Sequence, residues 1–349
     1  MKVIRKEHLA QKIVFVDGLW GSGKTMISPI LSAFERVELL SYAYELEQIC
    51  SLYSLEKISL EVSELMTRQL TDLKLYNTMM SRDLNFRFSD LSSALNHYDP
   101  QKYIKRLFDK GDEIIPEKIL KEKPILNFAS HHLLAYSEPV FSALGERVVF
   151  LEVVRHPLYM IKQIALNMEK LIGNVRSFSI YFEYKGQSLP SYVHGWEDLF
   201  IESNYMDKAI HYVDQLTKKT EKVKSDLKNN YKNQILTVPF ERFTINPDEF
   251  LPEIEKLLGT KSTEITREMM RKQKVPREKY SDGIELDIYK RCGWEPSTKG
   301  LTEIEEFRLR REFVKQFSST KGLKILDELC QKYEKNYLGG TIIKTNGYE

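Results

Sequence analysis

A glycine-rich turn between an apolar run and a helical pattern is the feature that most constrains this chain. The apolar run covers residues 13–16 (Ile-Val-Phe-Val), and the turn after it contains Gly18, Gly23, Lys24 and Thr25 at the spacing G-x-x-x-x-G-K-[ST]. Glycines allow positive φ and close backbone approach, so that successive N–H groups converge on one anion. The following helix directs the positive end of its dipole at the same point. The sequence therefore predicts a strand, loop and helix that bind a phosphate-bearing ligand.

The composition describes an ordinary globular chain rather than a nucleic-acid-binding or membrane protein. Its 349 residues carry a formal net charge of +2 and are 42% hydrophobic. A net charge this small does not predict binding to nucleic acid. No apolar run approaches the ~18 residues that a membrane helix needs. Because the first apolar run begins close to the N-terminus, no room is left for a signal peptide. We therefore expect a cytoplasmic protein without a nucleic-acid or membrane partner; the sequence makes no prediction of oligomeric state.

The cysteines point to a reduced protein. Cys50, Cys292 and Cys330 are far apart and odd in number. They form neither a metal-ligand spacing nor a disulfide framework. We expect structural thiols and no metal site.

Apolar runs alternate with helical patterns along the chain. The predicted strands cover residues 13–16, 124–129, 147–154 and 234–238. Helices are predicted over 25–36, in several pieces between 37 and 110, over 158–171, over about 205–229, and through most of the C-terminal third, with a loop or lid at 173–200. Strands separated by helices are typical of a parallel sheet. The pattern predicts a P-loop-type, three-layer α/β domain with a central parallel β-sheet and extensive helical insertions.

The chain length fits one large domain of this class. We expect a single domain over residues 1–335, with helical acceptor or cap regions at about 37–110 and 173–230, and a C-terminal tail at 336–349.

Polar segments follow three of the predicted strands. They are the loop at 18–25, Ser130-His131-His132 and Arg155-His156-Pro157. Because ligands of parallel α/β sheets bind at the carboxyl ends of the strands, we expect these segments to share one edge of the sheet.

In their order along the chain, these segments resemble those of the nucleotide-dependent sulfotransferases. These enzymes move a sulfuryl group from 3′-phosphoadenosine 5′-phosphosulfate (PAPS) to a hydroxyl or amine. The loop at 18–25 is similar to the family's 5′-phosphosulfate loop, and residues 129–133 (Ala-Ser-His-His-Leu) resemble the Thr-His-Leu segment that supplies its base. Residues 152–158 (Glu-Val-Val-Arg-His-Pro-Leu) resemble the Arg-x-Pro turn that grips the 3′-phosphate. Residues 238–243 (Val-Pro-Phe-Glu-Arg-Phe) and, more weakly, 290–294 (Lys-Arg-Cys-Gly-Trp) are similar to two later segments.

The resemblance implies a PAPS-dependent sulfotransferase that requires no metal and acts on a small-molecule or carbohydrate acceptor. It implies His131 or its neighbour His132 as general base, with Lys24 stabilising the leaving oxygen. The residues that it implies for PAPS binding are Gly18, Trp20, Gly21, Ser22, Gly23, Lys24, Thr25, Arg155, Arg291 and Gly293.

Several positions depart from the family's pattern. Gly21 stands where the family has its loop lysine, and Lys24 stands where it has threonine. Gln163 replaces a serine, and Phe240 replaces the tyrosine of a Tyr-Glu-Asp segment.

With Lys24 followed by Thr25, the loop is also a complete nucleotide-triphosphatase pattern, so an ATP- and Mg²⁺-dependent kinase is the first alternative. A kinase would need an aspartate at a strand end to hold the metal, and the best predicted strands end without one. A non-catalytic nucleotide-binding protein is the second alternative.

The acceptor is expected to contact residues 79–98 and 173–200. Aromatic side chains with scattered polar groups, which suit stacking on a sugar or a phenolic ring, occur in both. They include Arg82, Phe86, Arg87, Phe88, Tyr181, Tyr184, Tyr192, His194 and Trp196. The sequence does not identify the acceptor.

Overall fold

The strands belong to two sheets in this computed structural model, which describes residues 1–175, 177–227, 229–280, 292–293 and 300–339. The strands are β1 Lys12–Asp17, β2 Ser41–Tyr42, β3 Ile125–Ala129, β4 Val148–Val154, β5 Tyr181–Tyr184, β6 Gln187–Pro190 and β7 Ile235–Pro239.

The larger sheet is parallel and has the strand order β2-β3-β1-β4-β7. In its centre, Val14 of β1 pairs with Asn127 of β3 on one side and with Val149 of β4 on the other. Because all five strands run in one direction, their carboxyl ends lie at the same edge, and the connections between them must cross over the sheet. The α/β class with a central parallel sheet, predicted from the sequence, is confirmed.

The central strands are buried on both faces, which explains their nearly continuous apolar sequences. Val14 and Val16 join one apolar cluster, whereas Ile13 and Phe15 join another on the opposite face. Phe15 stacks on Phe128 and on Phe150 of the neighbouring strands, with ring centroids 5.2 and 5.1 Å apart.

Helices cover both faces of the sheet and the region beyond its carboxyl edge. They are α1 Lys24–Leu31, α2 Tyr44–Ser54, α3 Leu60–Met79, α4 Pro100–Arg106, α5 Ile115–Glu122, α6 Glu138–Leu144, α7 Pro157–Leu171, α8 Glu197–Glu202, α9 Tyr205–Asp226, α10 Asn229–Lys232, α11 Phe240–Ile245, α12 Leu251–Leu258, α13 Glu264–Lys272, α14 Glu303–Phe317 and α15 Thr320–Tyr337. Helices α1, α11, α12 and α13 pack on the Val14 face, and α2, α3, α5 and α6 pack on the Phe15 face. Helices α7, α8, α9, α14 and α15 form a third apolar cluster, which includes Trp20 of the glycine-rich loop.

Local differences from the sequence-based prediction are small but matter for the site. Residues 37–110 contain strand β2 as well as helices, and the expected loop at 173–200 contains the antiparallel hairpin of β5 and β6. Two residues with positive φ, Lys185 and Gly186, form the turn of that hairpin. Helix α1 ends at Leu31 rather than near residue 36; Pro29 lies within it and has no N–H to donate.

Three further predictions concern the domain boundary, the cysteines and the membrane. The single domain over 1–335 stays a prediction, although α15 continues to Tyr337, beyond the expected start of the tail. Cys50, Cys292 and Cys330 are free and buried. Within the described ranges, none of the helices combines the length and apolarity needed to cross a membrane.

Candidate functional site

The three polar segments after β1, β3 and β4 meet at the carboxyl edge of the sheet. The backbone N–H of His132 donates to the carbonyl oxygen of Gly18 across 3.1 Å. The Arg155 guanidinium donates from Nη1 to the carbonyl oxygen of Gly21 across 3.0 Å. The expectation that these segments share one edge is therefore confirmed, and both later segments contact the glycine-rich loop directly.

Two glycines of the loop occupy positions that no other residue could fill without strain. Gly21 has a φ of +80° and Gly23 a φ of +98°. A Cβ on Gly23 would lie 2.2 Å from the ring of Phe240, the position where the resembled family has tyrosine. The loop is thus fixed by its own backbone and by the aromatic ring packed beneath it.

Lys24 is folded back over the loop that carries it. Its Nζ donates to the carbonyl oxygens of Gly18 and Leu19, at 2.7 and 3.0 Å. Burial lowers the pKa of Lys24 to about 8, against the opposing attraction of the Asp17 and Glu47 carboxylates. A bound anion would offer this ammonium a stronger partner than two carbonyls.

A buried hydroxyl in the loop also fits a phosphate ligand. Ser22 is 1% exposed, and its Oγ has no hydrogen-bond partner within the described part of the chain. An orphaned hydroxyl is costly unless a ligand satisfies it. Together with Lys24 and the positive end of the dipole of α1, it suits the phosphate portion of a nucleotide.

Asp17 connects the loop to the segment after β3. Its carboxylate accepts from Ser130 Oγ at 2.7 Å and from the N–H groups of Leu133 and Leu134 at 3.0 Å each. Burial raises the pKa of Asp17, while these donors favour its charged form. The three donors give this carboxylate a structural role in holding the two segments together.

Glu47 near the start of α2 is the site residue that the sequence analysis missed. Its Oε1 accepts from the backbone N–H of His131 at 2.6 Å and lies 3.3 Å from His131 Nδ1. A carboxylate can only accept, so it favours the tautomer with the proton on Nδ1 and the lone pair on Nε2. No spacing rule connects residues 47 and 131, and only the fold brings them together.

His132 has a different environment from His131. Its Nδ1 lies 2.9 Å from the hydroxyl of Tyr212, and its ring packs among Trp20, Tyr136, Tyr192 and Tyr212. Burial, helped by the nearby positive charges, lowers the pKa of His132 well below its usual value. His132 is therefore a neutral imidazole held among aromatic rings.

Arg155 contacts the glycine-rich loop and packs against two aromatic rings. Its guanidinium lies 4.3 Å from the ring centroid of Phe240 and 5.1 Å from that of Tyr159. Its neighbour His156 is a turn residue, since its Nδ1 accepts from Leu158 N–H at the start of α7. Glu241 accepts from the backbone N–H of His156 at 3.1 Å.

A cleft of about 320 Å³ lies beside the loop. Its lining combines the loop, His131, Glu47 and the edge of the cap: Trp20, Gly21, Ser22, Gly23, Lys24, Thr25, Tyr42, Tyr44, Glu47, Gln48, Ser51, His131, His132, Gln163, Asn167, Leu171, Ile172, Ser177, Phe178, Ser179, Ile180, Tyr181, Ser191 and Tyr192. Of the residues expected to contact the acceptor, Tyr181 and Tyr192 line it. Residues 79–98 do not, and the segment from Tyr42 to Ser51 takes the place predicted for them.

The late basic segment is described only in part. Arg291 lies outside the described residues, so its predicted contact with PAPS stays a prediction. Gly293 is described: a Cβ added to it would lie 3.1 Å from Nζ of Lys170 on α7. Gly293 therefore lies close to the helix that also carries Gln163 and Asn167 into the cleft.

Comparisons with known proteins found similar solved structures at low sequence identity. No protein-family model matches the chain, and no curated protein matches it. Among solved structures it is similar to the sulfotransferase domain from the curacin biosynthetic pathway, at 12% identity and a TM-score of 0.43, over 90% of this chain and 99% of that one. It is similar to the sulfotransferase domain of the Synechococcus PCC 7002 olefin synthase at 13% identity and a TM-score of 0.39, over 90% and 98% of the two chains. It is also similar to sulfotransferase STF9 from Mycobacterium avium at 12% identity and a TM-score of 0.40, over 89% and 78%. At such identities and TM-scores the likeness does not establish an activity; all three are sulfotransferases, the family that the sequence motifs of this chain resemble.

Proposed function

We propose that this chain is a PAPS-dependent sulfotransferase that transfers a sulfuryl group to an acceptor hydroxyl. The observation that carries the proposal is the placement of His131, oriented by Glu47, in the same cleft as the phosphate loop and Lys24. A base and an anion site that share one cleft are what an in-line transfer from a phosphate-linked donor requires.

His131 and Lys24 have complementary roles in this reaction. The acceptor oxygen forms a bond to sulfur and loses its proton to Nε2 of His131. The bond between sulfur and the bridging oxygen breaks, and negative charge develops on the 5′-phosphate that leaves. Lys24 and the N–H groups at the start of α1 stabilise that charge. Glu47 stabilises the imidazolium that forms on His131.

We assign the 3′-phosphate of the donor to the side of the loop where Arg155 lies. A guanidinium has five N–H donors, so that its contact with Gly21 and a contact with phosphate are compatible. Gln163 lies beside the same stretch of loop, because its Oε1 would be 3.1 Å from a Cβ on Gly21. An amide can donate to a phosphate in place of the serine found in the resembled family.

The acceptor that best fits the cleft is an uncharged molecule with a ring. Tyr44 stacks between Tyr42 and His131, with ring centroids 5.5 and 6.4 Å away, so the base lies at the end of a row of rings. Apart from Lys24, Glu47 and the two histidines, the described lining is hydroxyl, amide and apolar in character. Rings with hydroxyl and amide neighbours suit a neutral sugar or a similar small metabolite.

The direct test is turnover. PAPS carrying radiolabelled sulfur is incubated with the protein and a panel of neutral glycosides and phenols, and both PAP and labelled product are measured. We expect PAP to appear in step with a labelled acceptor, and the His131→Ala protein to form neither. Binding of PAPS without turnover on any acceptor would instead favour the non-catalytic alternative.

The loop itself favours one second candidate, an ATP- and Mg²⁺-dependent kinase. Lys24 and Thr25 complete the pattern that such enzymes use, and the Thr25 hydroxyl lies at the cleft. Asp17, the carboxylate closest to the loop in sequence, is held by three donors from the segment after β3. A kinase needs a carboxylate to hold its metal ion, and Asp17 is already hydrogen-bonded to these donors. We therefore rank the kinase second.

A further inference from the structure

Helix α15 is joined by two buried side chains to the segments that follow β4 and β7. Tyr333 and Glu334 on α15 are 6% and 1% exposed. The Tyr333 hydroxyl donates to Oε2 of Glu241, and Nε2 of His156 lies 3.1 Å from Oε1 of Glu334. These contacts bridge 92 and 178 residues of sequence, so they belong to the tertiary structure rather than to any local element.

The protonation state of this cluster follows from its hydrogen bonds. His156 Nδ1 accepts from the N–H of Leu158 at 3.3 Å and so carries no proton. Its Nε2 therefore holds the proton and donates to Glu334. The neutral His156 leaves the negative charge of Glu241 to face Arg155, whose Nε lies 4.0 Å from Oε1 of Glu241.

Arg155 is in turn the residue that contacts the phosphate loop. It donates to the carbonyl oxygen of Gly21 at 3.0 Å while Phe240 and Tyr159 pack against its guanidinium. Arg155 thus faces two acceptors at once, since Nη1 donates to Gly21 while Nε lies 4.0 Å from Glu241. The Tyr333 hydroxyl satisfies one oxygen of Glu241, and the His156 N–H satisfies the other.

From this geometry we propose that Tyr333 and Glu334 are positioning residues for the phosphate loop. They hold Glu241 and His156 in place, and so keep Arg155 against Gly21 rather than drawn onto Glu241. The last helix then sets the anion-binding conformation of a loop more than 300 residues earlier in the chain. The inference depends on the loop binding a phosphate, and not on whether that phosphate belongs to PAPS or to ATP.

Loss of the Tyr333 hydroxyl has a definite physical consequence. Glu241 is 0% exposed, so the oxygen that loses its donor cannot be hydrated. Arg155, whose Nε lies 4.0 Å from the other oxygen of Glu241, is a cation that can compensate it. A shift of the guanidinium toward Glu241 removes its hydrogen bond to Gly21 and loosens the loop.

The test is a double-mutant cycle on nucleotide affinity. Tyr333→Phe, Arg155→Met and the double variant are compared with the unmodified protein by calorimetric titration with PAP and with ADP, and the melting temperature of each is recorded. Methionine keeps the stem of Arg155 between Phe240 and Tyr159. We expect Tyr333→Phe to raise the dissociation constant of the nucleotide about tenfold, which corresponds to about 1.4 kcal/mol. We expect the same substitution to have no further effect once Arg155 is methionine.

Matched variants separate positioning from stability. Glu334→Gln should weaken nucleotide affinity in the same direction, whereas Glu328→Gln, on the exposed face of the same helix, should leave it unchanged. A Tyr333→Phe protein that melts earlier but binds with unchanged affinity would overturn the proposal. So would a Tyr333→Phe effect that persists in full beside Arg155→Met. Binding of ADP but not PAP to the unmodified protein would contradict the sulfotransferase proposal alone, because the cycle can then be measured with ADP.

Discussion

The carboxylate of Glu47 accepts from the backbone N–H of His131 at 2.6 Å and lies 3.3 Å from the Nδ1 of the same residue. One side chain therefore fixes both the backbone and the tautomer of the histidine. The adjacent His132 has a hydroxyl partner instead, Tyr212, and packs among aromatic rings. Although the two histidines are neighbours in sequence, their environments differ, and we therefore propose His131 rather than His132 as the general base.

Substitution of the two histidines should affect different properties. We expect His131→Ala to lower kcat for sulfuryl transfer by about 10²–10⁴-fold, because no general base then accepts the proton of the acceptor hydroxyl. Its melting temperature and PAP affinity should stay close to those of the unmodified protein, since His131 lies at the cleft and is partly exposed. His132→Ala should instead lower the melting temperature, because it removes a ring packed among four others. Steady-state kinetics and calorimetry on both variants check this; full turnover by His131→Ala would remove it as the base.

Lys24 is expected to supply a large part of donor affinity. A hydrogen bond to a charged group contributes about 1.5–3 kcal/mol, so Lys24→Ala should weaken PAP binding about 10- to 100-fold. Lys57→Ala, which removes an exposed lysine elsewhere on the surface, is the control and should bind as the unmodified protein does. Equal dissociation constants for the two variants would place the phosphate site elsewhere.

The lowered pKa of Lys24 predicts a pH dependence of binding. In the free protein burial lowers this pKa to about 8, and a bound anion raises it. Affinity should therefore be full below pH 8 and should fall as the pH rises above it, because binding then requires uptake of a proton. In Lys24→Arg the guanidinium stays charged throughout this range. Titrations with PAP between about pH 7 and 9.5 should show the decline in the unmodified protein only; a parallel decline in the arginine variant would assign it to another group.

Gly23 and Gly195 form a matched pair for testing the loop. Their φ angles are +98° and +96°, but a Cβ on Gly23 would lie 2.2 Å from Phe240, whereas one on Gly195 meets nothing within 4 Å. Alanine carries the same backbone strain of about 1–2 kcal/mol at both positions. We expect Gly195→Ala to lower the melting temperature slightly and to bind PAP normally. Gly23→Ala should lose PAP binding as well, since Phe240 or the loop must move; normal binding by Gly23→Ala would show that the loop conformation is not needed.

The sequence predicted the sheet and its functional edge because those features are local or general. Apolar runs gave the strands that contain Val14 and Val149, and the rule for parallel sheets placed His131 and Arg155 beside the loop. The strand at Ser41–Tyr42 is only two residues long, too short for any period to appear. The hairpin with its turn at Lys185 and Gly186 was missed because its aromatic residues did not alternate clearly with polar ones.

The partners of the site residues could not be predicted, because tertiary contacts bring them together. Glu47 reaches His131 across 84 residues, and Tyr333 reaches Glu241 across 92. Neither pair has a characteristic spacing or residue motif. The proposal of His131 rather than His132 depends on these contacts. The lining of the cleft also does, since it includes Tyr42 and Ser51 but none of residues 79–98.

The most direct measurement is a thermal-shift comparison of PAP, PAPS, ADP and ATP, each with and without Mg²⁺. A ligand that binds only the folded protein stabilises it by RT ln(1 + L/Kd), where L is the free ligand concentration, and so raises the melting temperature. The proposed function predicts a clear shift with PAP and PAPS that Mg²⁺ does not change, and a much smaller shift with ADP. A Mg²⁺-dependent shift with ATP, together with none for PAP, would contradict it and would identify Lys24 and Thr25 as the triphosphate site of a kinase.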